Sequence, residues 1–371
     1  MYILVWSFTS YSEEQDKKEI NEDDFRIEDI NSYEESIDYK EIQEVIDRAN
    51  IKDFNFKKEI NNAIENGNVD YGRWGDKIKE KFILQIKNKK SMIIKVIFLI
   101  LFSAIVTSFS KVINNSYVSE TGFLIVYMIL MMTILPIFEQ IYNIGLNAIT
   151  QIKNFIEVLI PTYTVASFIG TGINTATSFS QLTMIIIVII ERLFIKIIIP
   201  LINVYYVILV TDDISKTRCL YRLSEIITSL IKWGNKVTLG SVTTMATIKK
   251  LIAPSIDISS KKMIGSGIKL IPYVGNGLDS VKETLISAGY LIKNAMGGIS
   301  IVTIILLCMT PIISLISYIV VYELITVVAE PIADSRMVNA VKGMANGGKL
   351  LLEVLFTSAL LFIISIALLA S

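Results

Sequence analysis

The 371-residue chain contains no histidine. That removes a histidine-based catalytic triad, a histidine-ligated metal and a histidine proton relay. It has two cysteines, Cys219 and Cys308. They form no Cys-x-x-Cys pair and are too few for a structural zinc site. Cys308 lies in an apolar run and reads as a small hydrophobe. There is no Gly-x-Ser-x-Gly nucleophile motif. There is also no long basic tract with interleaved aromatics, so nucleic-acid binding is not expected. No cofactor or metal is expected. An enzyme would be left with paired carboxylates, such as Glu323 and Glu330, or a Ser/Lys dyad.

Apolar residues, by contrast, are abundant. They make up 52% of the chain, and mean hydropathy is +0.56, above the usual range of a soluble domain. The 35 basic and 35 acidic residues cancel, but unevenly. Residues 13–90 carry 21 acidic and 15 basic side chains. A polar, slightly acidic head therefore precedes a hydrophobic, slightly basic body.

Residues 1–12 open with "MYILVWSF", which reads as a truncated signal or an anchor. Residues 13–90 read as a helical head. Ile42, Val45, Ile46 and Ala49 recur at helical spacing, as do Phe56, Ile60 and Ile64. Asn66-Gly67-Asn68 is a stop signal. Residues 71–90 read as an interfacial amphipathic helix, with Trp74, Ile78, Phe82 and Ile86 on one face and lysines on the other.

Membrane-length runs follow at 92–110, 122–143, 182–210, 299–327 and 350–370. A helix needs about 20 apolar residues to cross the hydrocarbon core. The segment 226–248 qualifies only if Lys232 and Lys236 snorkel. Segments 155–180 and 266–296 are rich in Gly, Ser, Thr and Asn, and each contains Leu-Ile-Pro. They are read as spans, broken helices or re-entrant hairpins. The expected fold is all-α: a polytopic helical membrane protein with 6–8 transmembrane helices behind a small soluble helical region.

The two Leu-Ile-Pro segments point to an internal repeat. Pro161 and Pro272 are 111 residues apart, as are Pro200 and Pro311. The polar linker 211–225 then maps onto 322–336. The expected organisation is a head (13–90), two spans (91–148), repeat 1 (149–248) and repeat 2 (249–371). Duplicated, interrupted helices are a transporter-like signature, so a stand-alone carrier of a small solute is one functional reading.

Glu191, Arg192 and Lys196 fall inside the 182–210 run. On a helix, Arg192, Lys196, Pro200 and Asn203 share a stripe. Two readings stay open. The stripe is a functional polar seam facing protein, water or a partner subunit. Alternatively, the helix slides so that these charges reach an interface.

The stretch "KLIPYVGNGLDSVKETLISAGYLIKNAMGG" (269–298) resembles the signature region of the stage III sporulation protein AE family. The residues that carry the resemblance are Ile271, Pro272, Gly275, Glu283, Thr284, Leu291, Lys293, Asn294 and Gly297. The loop "AEPIADSR" (329–336) is similar to that family's small-residue, Pro-containing loop. The resemblance implies a non-enzymatic component of a secretion-like channel complex between mother cell and forespore, in the mother-cell membrane around the forespore. Its partners would be other membrane proteins of the same complex, the lipid bilayer and, for a homo-oligomer, further copies. Pro272, Gly275, Glu283, Lys293 and Asn294 would then belong to a pore-lining or partner-docking element, or to a tightly packed membrane hairpin. Orientation stays open. Seven Lys/Arg residues in 73–90 favour a cytoplasmic side for that segment, whereas a cleaved signal, as in the family, favours the outside.

Overall fold

A computed structural model describes residues 39–49, 51, 54–66, 90–112, 116–171, 187, 189–214, 220–241, 244 and 275–370. The described regular structure is all α-helical. The head contributes α1 (Lys40–Arg48) and α2 (Phe56–Asn66). Ile42, Val45, Ile46, Phe56 and Ile60 are buried there, as their spacing requires. The proposed interfacial helix at 71–90, the opening residues 1–12 and Pro272 lie outside the described residues, apart from Lys90.

The body is a bundle. It comprises α3 (Lys90–Val112), α4 (Ser116–Thr171), α5 (Ile189–Ile214), α6 (residues 221–241), α7 (Gly275–Ala329) and α8 (Ser335–Ala370). Glu120–Tyr163, Ile189–Ile214, Asn294–Ala329 and Ser335–Ala367 are long and apolar enough to cross a membrane. The chain is a multi-pass membrane protein.

Two helices are longer than the sequence pattern predicts. α4 has 56 residues and joins the segment 122–143 and residues 155–171 of the next into one helix. α7 has 55 residues and takes in the second Leu-Ile-Pro segment from Gly275 onward. At about 1.5 Å per residue each is roughly 80 Å long, more than twice the hydrocarbon thickness of about 30 Å. Pro136 and Pro161 stay inside α4, and Pro311 inside α7. Pro200 is accommodated differently. Its missing N–H and its ring exclude the normal bond to the carbonyl four residues back. The helix widens into a π turn at Phe194–Ile198, and the Ile199 N–H donates to the Phe194 carbonyl instead.

α8 is central, packing on α4, α5 and α7. Its glycines permit the approach. A Cβ on Gly343 would strike Leu209, one on Gly347 would lie 2.7 Å from Phe138 Cε2, and one on Gly348 would lie 3.0 Å from Ile319 Cγ1. These contacts also fix levels along the bundle. Residues 336–347 of α8 lie beside 120–138 of α4.

At that level the outer surface is apolar. Ile94, Phe98, Leu101, Phe102 and Ile105 of α3 are exposed, as are Ile125, Met128, Ile129, Met132 and Leu135 of α4. Val320, Leu324, Val327 and Val328 of α7 continue the belt. α6 is mixed. It exposes Leu223, Ile226, Leu230, Trp233 and Val237 beside a charged edge of Arg222, Glu225, Lys232 and Lys236, and buries Ser224, Asn235 and Thr238 with Ile227 and Ile231. Lipid outside the bundle explains this arrangement; water does not. Three buried hydroxyls bond within their own helices. Thr303, Ser317 and Thr326 each donate to the carbonyl four residues back, at 2.7–2.8 Å.

Phe138 cannot yield easily to a larger residue at 347, because its ring stacks on Tyr206 with centroids 3.9 Å apart. Gly347→Ala is expected to destabilise the bundle by about 1–3 kcal/mol, read as a lower thermal midpoint in detergent. Adding Phe138→Leu should recover part of that loss. Gly240→Ala, with nothing within 4 Å of its Cβ position, should leave the midpoint within error or slightly raised.

Candidate functional site

The end of the bundle where α4, α6 and α8 begin is polar. Asp334 precedes α8 and caps it, its Oδ1 accepting the Arg336 N–H at 2.9 Å. The Arg336 side chain then reaches across. It donates to Glu120 Oε1 on α4 at 2.9 Å and to both carboxylate oxygens of Asp334 at 3.3 and 3.4 Å. Its guanidinium carbon sits 3.4 Å above the Phe123 ring. One side chain thus ties the starts of α4 and α8 with an ion pair and a stacked face. Beside it, the Tyr127 hydroxyl donates to the Val210 carbonyl at 2.9 Å. Asp212 Oδ1 accepts the Leu220 N–H at 2.7 Å, closing the turn from α5 to α6.

Below this end, α5, α6 and α8 enclose a cleft of ≈ 580 Å³. Its walls carry Asp212, Asp213, Glu225 and Lys342, with the Tyr205 and Tyr221 rings and the carboxamides of Asn339 and Asn346. Asp212 and Asp213 are each 5% exposed. Only Leu209 among the lining residues is aliphatic. The volume is that of a small-molecule pocket, but the lining is far more polar than usual. The cleft continues onto two surface stripes. α8 carries Asn339, Lys342, Asn346, Lys349 and Glu353 at spacings of three and four, and α6 carries Arg222, Glu225, Ser229, Lys232 and Lys236 in the same way. Lys349 pairs with Glu323 of α7.

The residues singled out in the sequence fall elsewhere and do not form one site. Glu191 is buried, 2% exposed, and its Oε1 has no hydrogen-bond partner. The α4 ion pair Lys153–Glu157, 2.8 Å apart, acts on it electrostatically. Arg192 and Lys196 are exposed on the outer surface, Pro200 is half-buried and Asn203 is exposed. Arg192 and Lys196 lie near the level of Lys153 and Glu157, with Ile189 and Ile197 exposed beside them. Asn203 opens onto a second cleft, of ≈ 410 Å³, with Pro136, Glu139, Tyr142, Asn143 and Tyr206. Pro161 is exposed, Pro311 half-buried and Asn294 exposed. Gly275, Glu283 and Lys293 lie on α7, but their side chains are outside the described residues. Glu330 sits at the turn after α7, and the loop 329–336 supplies Asp334 and Arg336. Asp212 and Asp213 were missed because 211–225 reads as one polar linker, whereas α5 runs on to Ile214.

The stage III sporulation protein AE family model matches residues 54–371. The chain is similar to the stage III sporulation protein AE of Bacillus subtilis (strain 168). The two are 21% identical over 280 residues, which cover 73% of this chain and 68% of that protein. No solved structure matches.

The Arg336 clamp makes a prediction. Arg336→Ala removes the ion pair to Glu120, the bonds to Asp334 and the stacking on Phe123, and is expected to cost about 1–3 kcal/mol, read as a lower midpoint for thermal unfolding in detergent. Arg336→Lys keeps the charge but loses the fork and the stacking. It should recover less than half of the loss.

Proposed function

Because the chain belongs to the stage III sporulation protein AE family, we propose that it is a membrane component of the channel complex linking mother cell and forespore. That family consists of sporulation membrane proteins with no known catalytic role, and the proposed task here is structural and conductive, not chemical. The protein sits in the mother-cell membrane around the forespore, with other membrane proteins of the same complex as partners. The observation that carries this reading is the family match over nearly the whole described body, joined to a bundle that shows an apolar belt to lipid and a polar cleft at the same level.

In this reading α3 to α8 each cross the bilayer, giving six crossings. α3 supplies only a short apolar helix, Ile93–Phe102, and α6 is charged along one edge. Both nevertheless expose apolar side chains at the belt. The duplication expected at 149–248 and 249–371 is supported by two like hairpins. α5 carries Pro200 and its Asp212 meets Leu220 at the start of α6, and α7 carries Pro311 and turns into α8 at 330–334. Six crossings with two-helix units would make the repeats parallel, set behind a head at 13–90 and the pair α3–α4.

A second reading, a stand-alone carrier of a small solute, is favoured by the polar cleft. One comparison separates the two. Deleting the gene should arrest forespore development late while vegetative growth stays normal. The purified chain alone in liposomes should transport none of a panel of small anions and amines above the protein-free rate. Normal spores from the deletion strain would overturn the proposal.

A further inference from the structure

Four charges on the α6–α8 face are exposed at or near the level of the belt: Glu225 and Lys236 on α6, Lys342 and Glu353 on α8. Among the described residues, none of the four enters an ion pair within the chain. Charged side chains at bilayer depth are found paired or facing water, not acyl chains. Their placement is also regular. Glu225 and Lys236 are eleven positions apart, and so are Lys342 and Glu353, with the signs reversed. Eleven residues is three helical turns, so each pair lies on one face of its helix. The two helices run in the same direction. α8 meets Leu209 of α5 at Gly343 and Tyr205 at Asn346, and α6 meets Asp212 at Leu220 and Ile198 at Gly234. Both helices are thus antiparallel to α5. Their registers match too, because Glu225 and Lys342 line the same cleft.

We propose that α6 of one copy packs against α8 of the next, with Glu225 meeting Lys342 and Lys236 meeting Glu353 of the neighbouring copy. Both halves of this contact lie on one face of the chain, so it is self-complementary: α8 of the first copy meets α6 of the second in the same way, and two copies close a dimer. Both halves have the same sense along the membrane normal, so the two-fold axis is that normal. The apolar stripe of α6, displaced by one residue and including Ile226 and Trp233, stays in lipid. Within one chain the cleft holds the two helices apart, which leaves the charges for a neighbour. This inference rests on α6 and α8 lying in a bilayer and is independent of the role in sporulation.

The test uses the full chain with Cys219→Ser and Cys308→Ala. Lys236→Cys and Glu353→Cys are made in two differently tagged copies, co-expressed, and oxidised in membranes. The expected product is a disulfide dimer bearing both tags, with little dimer from either copy alone. A chain carrying both cysteines should give a dimer and no larger multiple. No mixed dimer, or only an internal disulfide that leaves a monomer, would overturn the proposal. A second arm needs no cysteine. Lys236→Glu should lose the oligomer on native gels, and Lys236→Glu with Glu353→Lys should regain it. An unchanged oligomer in the single variant, or a folded double variant that stays monomeric, would also overturn it.

Discussion

Hydrocarbon does not hydrate a charge or an open peptide group, and the structure is organised around that fact. Over one stretch of the bundle the outside must be apolar and the polar groups must be turned inward or paired. The exposed Phe98, Met132, Leu324 and Trp233 would be liabilities in water and are the appropriate surface in lipid. The same constraint explains why the hydroxyls of Thr303, Ser317 and Thr326 turn back onto their own helices. It also explains why glycines, not large apolar side chains, line α8 where three helices close on it. Lipid gives no hydrophobic drive for helices to associate, so close packing has to supply the attraction.

The bundle is longer than the slab it must cross, and much of its design follows. α4 and α7 continue well past the belt. Beyond it, α4 exposes Glu139, Gln140, Asn143 and Asn147 while its other face packs on the head, with Phe155 against Phe56. The head is therefore built onto the extension of the membrane helices. Arg192 and Lys196 of α5 are exposed near the Lys153–Glu157 pair of that extension. At the opposite end the Arg336–Glu120–Asp334 cluster holds the helix starts together, at a depth where water can reach part of it.

Much of the architecture is legible in the residues themselves. The runs at 92–110, 122–143, 299–327 and 350–370 and the described part of 182–210 fall on helices, and the head helices bury Ile42, Val45, Ile46, Phe56 and Ile60, whose spacing marks them. What hydropathy does not show is where a helix stops. Glu139 and Asn143 lower the mean without breaking the helix, so one helix reads as two segments. α8 begins at Ser335, fifteen residues before its apolar run, because Asn339, Lys342, Asn346 and Lys349 form a stripe on a helix whose other face is Met337, Val341, Met344 and Leu351. A three–four spacing of polar residues just before an apolar run is the signal that finds the α8 side of the cleft. Asp212 and Asp213, at the end of a run and close behind Tyr205 and Tyr206, carry no comparable local sign. Their proximity to α8 is a tertiary fact. So is the outward placement of the Arg192 stripe, which sequence periodicity alone allows to face either way.

The most direct measurement is quenching of Trp233 by brominated acyl chains. With Trp6 and Trp74 replaced by phenylalanine, Trp233 is the sole tryptophan in the chain, and it lies on the outward face of α6, 65% exposed. Reconstituted into bilayers brominated along the acyl chain, it should be strongly quenched and should resist an aqueous quencher such as iodide. Strong iodide quenching with no effect of the brominated lipid would place α6 in water. The belt, the crossings and the polar face assigned to a neighbouring copy would then fall together.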